Sequence, residues 1–164
     1  MTTIINANTE IWDILETVTD PEVPVLSILD LGIVRKVEQE GEEIIITITP
    51  TYTGCPAMDV IAINIKAAMQ EAGYSKVAIK SVLSPAWTTD WLSEAGRRKL
   101  KAYGIAPPVG SSDKNSLLGE TREVQCPRCD STNTRMISQF GSTACKALHQ
   151  CNDCLEPFDY FKCH

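Results

Sequence analysis

The sequence predicts an α+β protein in two parts: an α-β-β-α-β-α domain over residues 7–104 and a small metal-stapled module over 122–164, joined by a linker over 105–121. Three observations carry this prediction. Apolar residues recur at helical and strand spacings as far as Gly104. Periodicity then fades through Pro107, Pro108, Gly110, Ser111, Ser112 and Gly119. Six of the seven cysteines fall in the last 39 residues, and Cys55 alone precedes them.

The first helix is read from Ile11, Ile14, Leu15 and Val18, which share one face, and Asp20-Pro21-Glu22-Val23-Pro24 stops it. Leu31 to Val37 and Glu42 to Thr49 read as a hairpin turned at Gly41, because the β-branched run Ile44 to Thr49 suits a pleated surface. Met58, Ile61, Ala62, Ile65, Met69 and Ala72 then repeat at helical spacing, with Pro56 at the helix start and Gly73 at its stop. A third strand is expected from Lys76 to Leu83. The last helix carries Leu92, Ala95, Leu100 and Tyr103 on one side and ends at Gly104. Trp87 and Trp91 read either as core or as an interaction surface.

Composition narrows the function. Apolar residues make up 43% and charged residues 22%, which supports a packed core and argues against wholesale disorder or a coiled coil. The formal charge is −6, with nine basic against fourteen acidic residues through Gly104 and six against seven beyond it. Neither part has the basic footprint of a nucleic-acid binder. No stretch approaches the roughly 18 uninterrupted apolar residues of a membrane span, and the amino terminus has no secretory pattern. Cytoplasmic location is therefore expected, and clustered thiols in a reducing compartment point to metal before disulfides.

Cys126-Pro127-Arg128-Cys129 and Cys151-Asn152-Asp153-Cys154 are two CxxC pairs separated by 21 residues. Two residues between thiols let a tight knuckle aim both sulfurs at one ion, and a second knuckle completes a tetrahedron. A redox CxxC would instead open a helix in a βαβ setting, which this tail lacks. The expectation is a zinc ribbon, although zinc and iron both accept four thiolates. His149 is near enough to serve as a ligand, but four cysteines already fill the shell. Cys145, Cys163 and His164 read as packing or terminal residues.

Cys55 sits between Gly54 and Pro56, at or just before a helix start. There, unpaired N–H groups and the positive end of the helix dipole favour thiolate. A lone loop cysteine is also ordinary packing. Asp20 and Glu22 flank Pro21 and could supply oxygen ligands or a base, yet Asp-Pro-Glu is equally turn and capping chemistry. No nucleophile-base pair, phosphate loop or open catalytic metal site can be assembled, so the chain is not expected to be an enzyme.

Asp20-Pro21-Glu22-Val23-Pro24, Asp30-Leu31-Gly32 before a hairpin, and Thr53-Gly54-Cys55-Pro56 together resemble the metal-sulfur cluster assembly domains of SufT-like proteins and eukaryotic cytosolic iron-sulfur targeting factors. Ser84 to Trp91, Phe140 to Leu148 and Glu156 to Lys162 extend the likeness over nearly the whole chain. There the chain resembles the D-subunit family of bacterial phenylacetyl-CoA epoxidase systems.

The resemblance implies a small mixed-sheet domain followed by a zinc-ribbon-like module. It further implies an accessory role in aerobic phenylacetate catabolism: maturing, or inserting iron or an iron-sulfur cluster into, the ring oxygenase or its iron-sulfur flavin reductase. These components would be its partners, with homodimerisation left open. By the same resemblance Cys55 matches the family's characteristic thiol, a transient ligand for iron or a cluster, and Asp20 and Glu22 match its acidic motif. The alternative is a non-catalytic structural subunit, or a protein-binding zinc ribbon of the same complex.

Overall fold

A computed structural model describes residues 4–109 and 123–162, with side chains described from Thr9. The chain divides into two compact units, one ending at Trp87 and the other beginning at Thr88.

In the first unit, α1 (Ile4–Glu16) buries Ile11 and Leu15, and Val18 is buried just beyond the helix end. A compact run of turns follows. Asp20 Oδ1 accepts the N–H groups of Glu22 and Val23 at 2.7 and 2.8 Å. Ser27 and Asp30 cap each other reciprocally: Asp30 Oδ2 accepts the Ser27 N–H, and Ser27 Oγ accepts the Asp30 N–H. These bonds, with Gly32 at φ +69°, keep the chain turning through Ile33. The strand expected from Leu31 therefore begins later, at Val34.

β1 (Val34–Glu40) and β2 (Glu43–Ile48) form the expected antiparallel hairpin, and β3 (Val77–Ser81) pairs parallel to β2. The order β1-β2-β3 puts β2 in the centre of a mixed sheet. This central position explains its sequence, since Ile44, Ile45, Ile46 and Ile48 are all buried and a strand covered on both faces needs a continuous apolar run. A parallel pair requires a crossover. α2 (Ala57–Glu71) supplies it and buries Ala57, Ile61, Ile65 and Met69 at four-residue intervals. Gly73, at φ +98°, closes the helix as expected, with its N–H on the Gln70 carbonyl and that of Tyr74 on Met69. Trp87 is core, its indole N–H donating to the Leu31 carbonyl at 2.7 Å.

The second unit opens with a short 3-10 turn over Thr89–Trp91 and α3 (Glu94–Tyr103). Ser93 caps α3 by accepting the Gly96 N–H at 2.9 Å, and Gly104 ends it at φ +92°. Leu100 is buried as expected, but Tyr103 faces outward. A four-stranded sheet follows, in the order β4 (Ile105–Ala106), β7 (Pro157–Phe161), β6 (Lys146–Cys151), β5 (Thr134–Ser138). β4 runs parallel to β7, and the remaining pairs are antiparallel. Ala106, Val124, Cys126, Ala147, Cys151, Phe158 and Tyr160 form its core.

The division at Trp87 differs from the boundary expected after Gly104. α3 and β4 belong to the ribbon's unit because β4 hydrogen-bonds to the ribbon's last strand. Arg97 holds the same segment, donating to the carbonyls of Thr89 and Pro108 at 3.0 and 2.8 Å. The start of the expected linker at Ile105 and Ala106 is thus strand, and residues 110–122 lie outside the described residues.

Candidate metal centre and the Cys55 loop

The two CxxC segments fold as matching knuckles. In the first, the Cys126 N–H donates to the Ser131 carbonyl at 2.9 Å, and in the second the Cys151 N–H donates to Glu156 at 3.0 Å, the same five-residue reach. Asp130 and Leu155, each directly after the second cysteine of its knuckle, adopt positive φ of 62° and 65° and so turn the chain back. Within the knuckles, the Arg128 N–H donates to Cys126 Sγ at 3.4 Å and the Cys154 N–H to Cys151 Sγ at 3.5 Å.

All four sulfurs lie within 4.8 Å of one another, with Cys126 and Cys154 at 3.7 Å and Cys129 and Cys151 at 3.5 Å. A tetrahedron of metal-thiolate bonds near 2.3 Å has edges of about 3.8 Å, so the sulfurs stand where a tetrahedral ion needs them. Their electrostatics agree. The Cys154 N–H, then that of Asp153, hold the Cys151 thiol down to about 7 against burial. At Cys129 the Ser131 N–H favours thiolate, but burial and the three neighbouring thiols outweigh it and push that group up to about 12. Four thiols this close cannot all ionise without a cation among them.

A polar lattice fixes the knuckles to each other. Asp153 accepts from Ser131 Oγ and, at 2.9 Å, from Asn133 Nδ2. Asn152 donates through its backbone and side chain to Asn133 at 2.9 and 3.0 Å. Ser131, Asn133 and Asp153 were not singled out from the sequence. The available signal was their position beside the cysteines, where short hydrogen-bonding side chains recur as outer-shell supports.

Among the described residues, these four cysteines are the one group of three or more potential ligands that converges. His149 stays outside it, buried on β6 with its ring against Phe158 and Tyr160 at 5.8 and 5.4 Å, and burial lowers its pKa. Cys145 is buried, with its Sγ 3.1 Å from Thr143 Oγ1. Cys163 and His164 lie outside the described residues.

Cys55 occupies the loop before α2, half-buried, with its N–H on the Tyr52 carbonyl and its own carbonyl accepting from Met58, both at 3.3 Å. Pro56 is the cap residue of α2, so Cys55 lies one residue before the cap and not in the helix's first turn. Gly54, at φ +79°, has open space where a Cβ would stand. Asp20 is buried and its Oδ1 is committed to the turn, whereas Glu22 is half-buried. Cys55, Asp20 and Glu22 do not form a converging ligand group of their own.

The match to known proteins follows the same two-part division. An iron-sulfur cluster assembly protein model matches residues 8–81, and the PaaD zinc beta ribbon domain model matches 110–162. The Escherichia coli (strain K12) protein named "Putative 1,2-phenylacetyl-CoA epoxidase", D subunit, is 53% identical over 94% of this chain and 92% of its own length. The chain belongs to that D-subunit family. An Fe-S protein maturation auxiliary factor of Porphyromonas gingivalis is 32% identical over 56% of this chain and 88% of its own. The crystal structure of a DUF59 domain from Bacillus anthracis superposes with a TM-score of 0.52 at 27% identity, covering 56% of this chain and 89% of that one. In the D-subunit family the assembly-type fold and the ribbon are thus carried on one chain, as the sequence resemblance implied. Among the described residues no helix is long and apolar enough to cross a membrane.

Proposed function

We propose that this chain is a non-catalytic maturation factor of a phenylacetyl-CoA epoxidase system, acting in the cytoplasm. Its iron or iron-sulfur cargo passes through Cys55 to the oxygenase or its iron-sulfur flavin reductase. The observation that carries the reading is the joining of an assembly-type fold, with a half-buried thiol in the loop before α2, to a separate cysteine centre whose four ligands are already complete. A site with four thiolates is closed and suits a structural role, which makes zinc the fitting ion for the ribbon. Cys126, Cys129, Cys151 and Cys154 would hold it, and it would supply folding energy.

Cys55 lies apart from that group. On taking cargo its thiol releases a proton, and ligand exchange onto the client's own residues returns the thiol. Support for the client class comes from the names of the relatives: one named as an epoxidase subunit over 94% of this chain and one named as an Fe-S protein maturation auxiliary factor over 56% of it. Glu22, half-buried beside the Asp20 turn, is the acid assigned to assist Cys55, while Asp20 shapes the turn.

A second reading, a protein-binding ribbon within the complex, draws on Met136, Ile137 and Phe140, which are exposed on and beside the edge strand β5. One experiment separates the two. Oxygenase components are produced with and without this chain, purified free of it, and assayed for client metal and phenylacetyl-CoA turnover before and after adding it back. Maturation leaves components made with the chain fully active alone. A stoichiometric requirement at every turnover, with client metal already full, assigns it to the working complex instead.

A further inference from the structure

Where α3 ends against the first knuckle, an open cleft of about 430 Å³ is lined by Arg98, Lys101, Ala102, Gly104, Pro127 and Arg128. Three cations thus share one concave surface in a chain of net charge −6. Their commitments differ. Lys101 Nζ is held by Asp130 Oδ1 at 2.5 Å. Arg97, one residue before the cleft's first arginine, spends its guanidinium on backbone carbonyls. Arg98 and Arg128 have no carboxylate or carbonyl partner among the described residues, and both side chains are exposed. The Arg128 guanidinium lies against Gly104, where a Cβ would stand 3.5 Å from Nη2 and 3.8 Å from Cζ.

We propose that this cleft binds a phosphate-bearing small molecule through Arg98 and Arg128, with Lys101 as a third, point-charge contact. Guanidinium groups present paired donors that match phosphate oxygens, whereas an ammonium acts as a single charge. An open cleft of this size, with its cations on a few neighbouring residues, suits a small anion. A nucleic-acid strand needs an extended basic track, and the overall negative charge opposes it. Arg128 lies inside the first metal knuckle and donates its N–H to Cys126 Sγ, so the cleft is formed only while that knuckle is folded. Binding therefore depends on the ribbon's metal although the ligand does not touch it.

The test titrates the full-length, metal-loaded protein calorimetrically with inorganic pyrophosphate, with ADP and citrate in parallel. Saturable pyrophosphate binding is expected, with ADP at least as tight. Arg98→Gln and Arg128→Gln should each weaken it about tenfold, and Lys66→Gln, the same charge change in the first unit, should leave it unchanged. Chelating the metal should abolish it. The proposal is overturned if pyrophosphate fails to saturate, if Arg98→Gln binds it as well as the parent does, or if citrate binds as tightly. Should Arg128→Gln lose its metal, Arg98→Gln decides alone.

Discussion

Asp130 and Leu155 are structural equivalents: each follows the second cysteine of a knuckle, and each holds the left-handed backbone, at φ 62° and 65°, that lets the chain reverse around the metal site. The chemistry of the two side chains differs. Aspartate tolerates this conformation and here also holds Lys101. Leucine gains nothing from it, and Leu155 is 68% exposed.

Leu155→Gly should therefore stabilise the second unit. Relief of about 1–2 kcal/mol of backbone strain outweighs the roughly 0.5–1 kcal/mol of added unfolded-chain entropy. A higher melting temperature of the metal-loaded protein is the expected reading, and a lower one would show that the exposed leucine has packing value. Asp130→Gly should gain less, because it also removes the Lys101 ion pair.

Replacing any one of Cys126, Cys129, Cys151 or Cys154 with Ser should lower bound metal and open residues 123–162 to protease. Binding free energy on the order of 10 kcal/mol or more dominates the folding of so small a core. Cys145→Ser should keep its metal, since that sulfur sits with Thr143 outside the tetrahedron. Metal analysis with limited proteolysis reads both, and full occupancy in all four variants contradicts the assignment.

Cys55→Ser should preserve metal content and melting behaviour yet fail to support growth on phenylacetate. The thiol lies in a loop one residue before the cap of α2 and is not part of the buried ladder Ala57, Ile61, Ile65 and Met69. Normal growth would return it to ordinary packing, as would gross destabilisation.

At Asp20 the expectation is structural. Asp20→Ala leaves the N–H groups of Glu22 and Val23 without their acceptor and should cost about 1–2 kcal/mol. Asp20→Asn keeps an acceptor oxygen and should retain most of that stability. Denaturant melts of the two variants decide between hydrogen bonding and charge, and equal losses in both would restore a role for the carboxylate itself.

Elements built from local pattern were legible in the sequence. α2 follows from its four-residue apolar ladder, the hairpin from its β-branched run around Gly41, and the ribbon from cysteine spacing. What escaped depends on residues far apart. β4 is two residues long and exists because Ile105 and Ala106 meet Asp159 and Tyr160, so no window around it carries a strand signal. The Leu31 to Ile33 stretch looks like strand by composition but is held in turns by the Ser27 and Asp30 side chains. For Asp20 the sequence left an acidic ligand and a turn residue as alternatives, and the two backbone N–H groups that its Oδ1 accepts show the turn role. Likewise Arg98 and Arg128 are ordinary surface charges in sequence and become a cleft only when α3 and the first knuckle meet.

The position of β7 between β4 and β6 separates ligand content from foldability. A chain stopped after Glu156 would keep all four cysteines, both knuckle sequences and their spacing. It would nevertheless lose an interior strand, along with Phe158 and Tyr160 from the core, and leave two strand edges without a shared neighbour. A shortened protein of this kind could hold the ion as a loose chelate while its exposed edges invite aggregation. Stoichiometric metal would then be a poor certificate of a native ribbon, and the integrity of the strand that contributes no ligand is the better one.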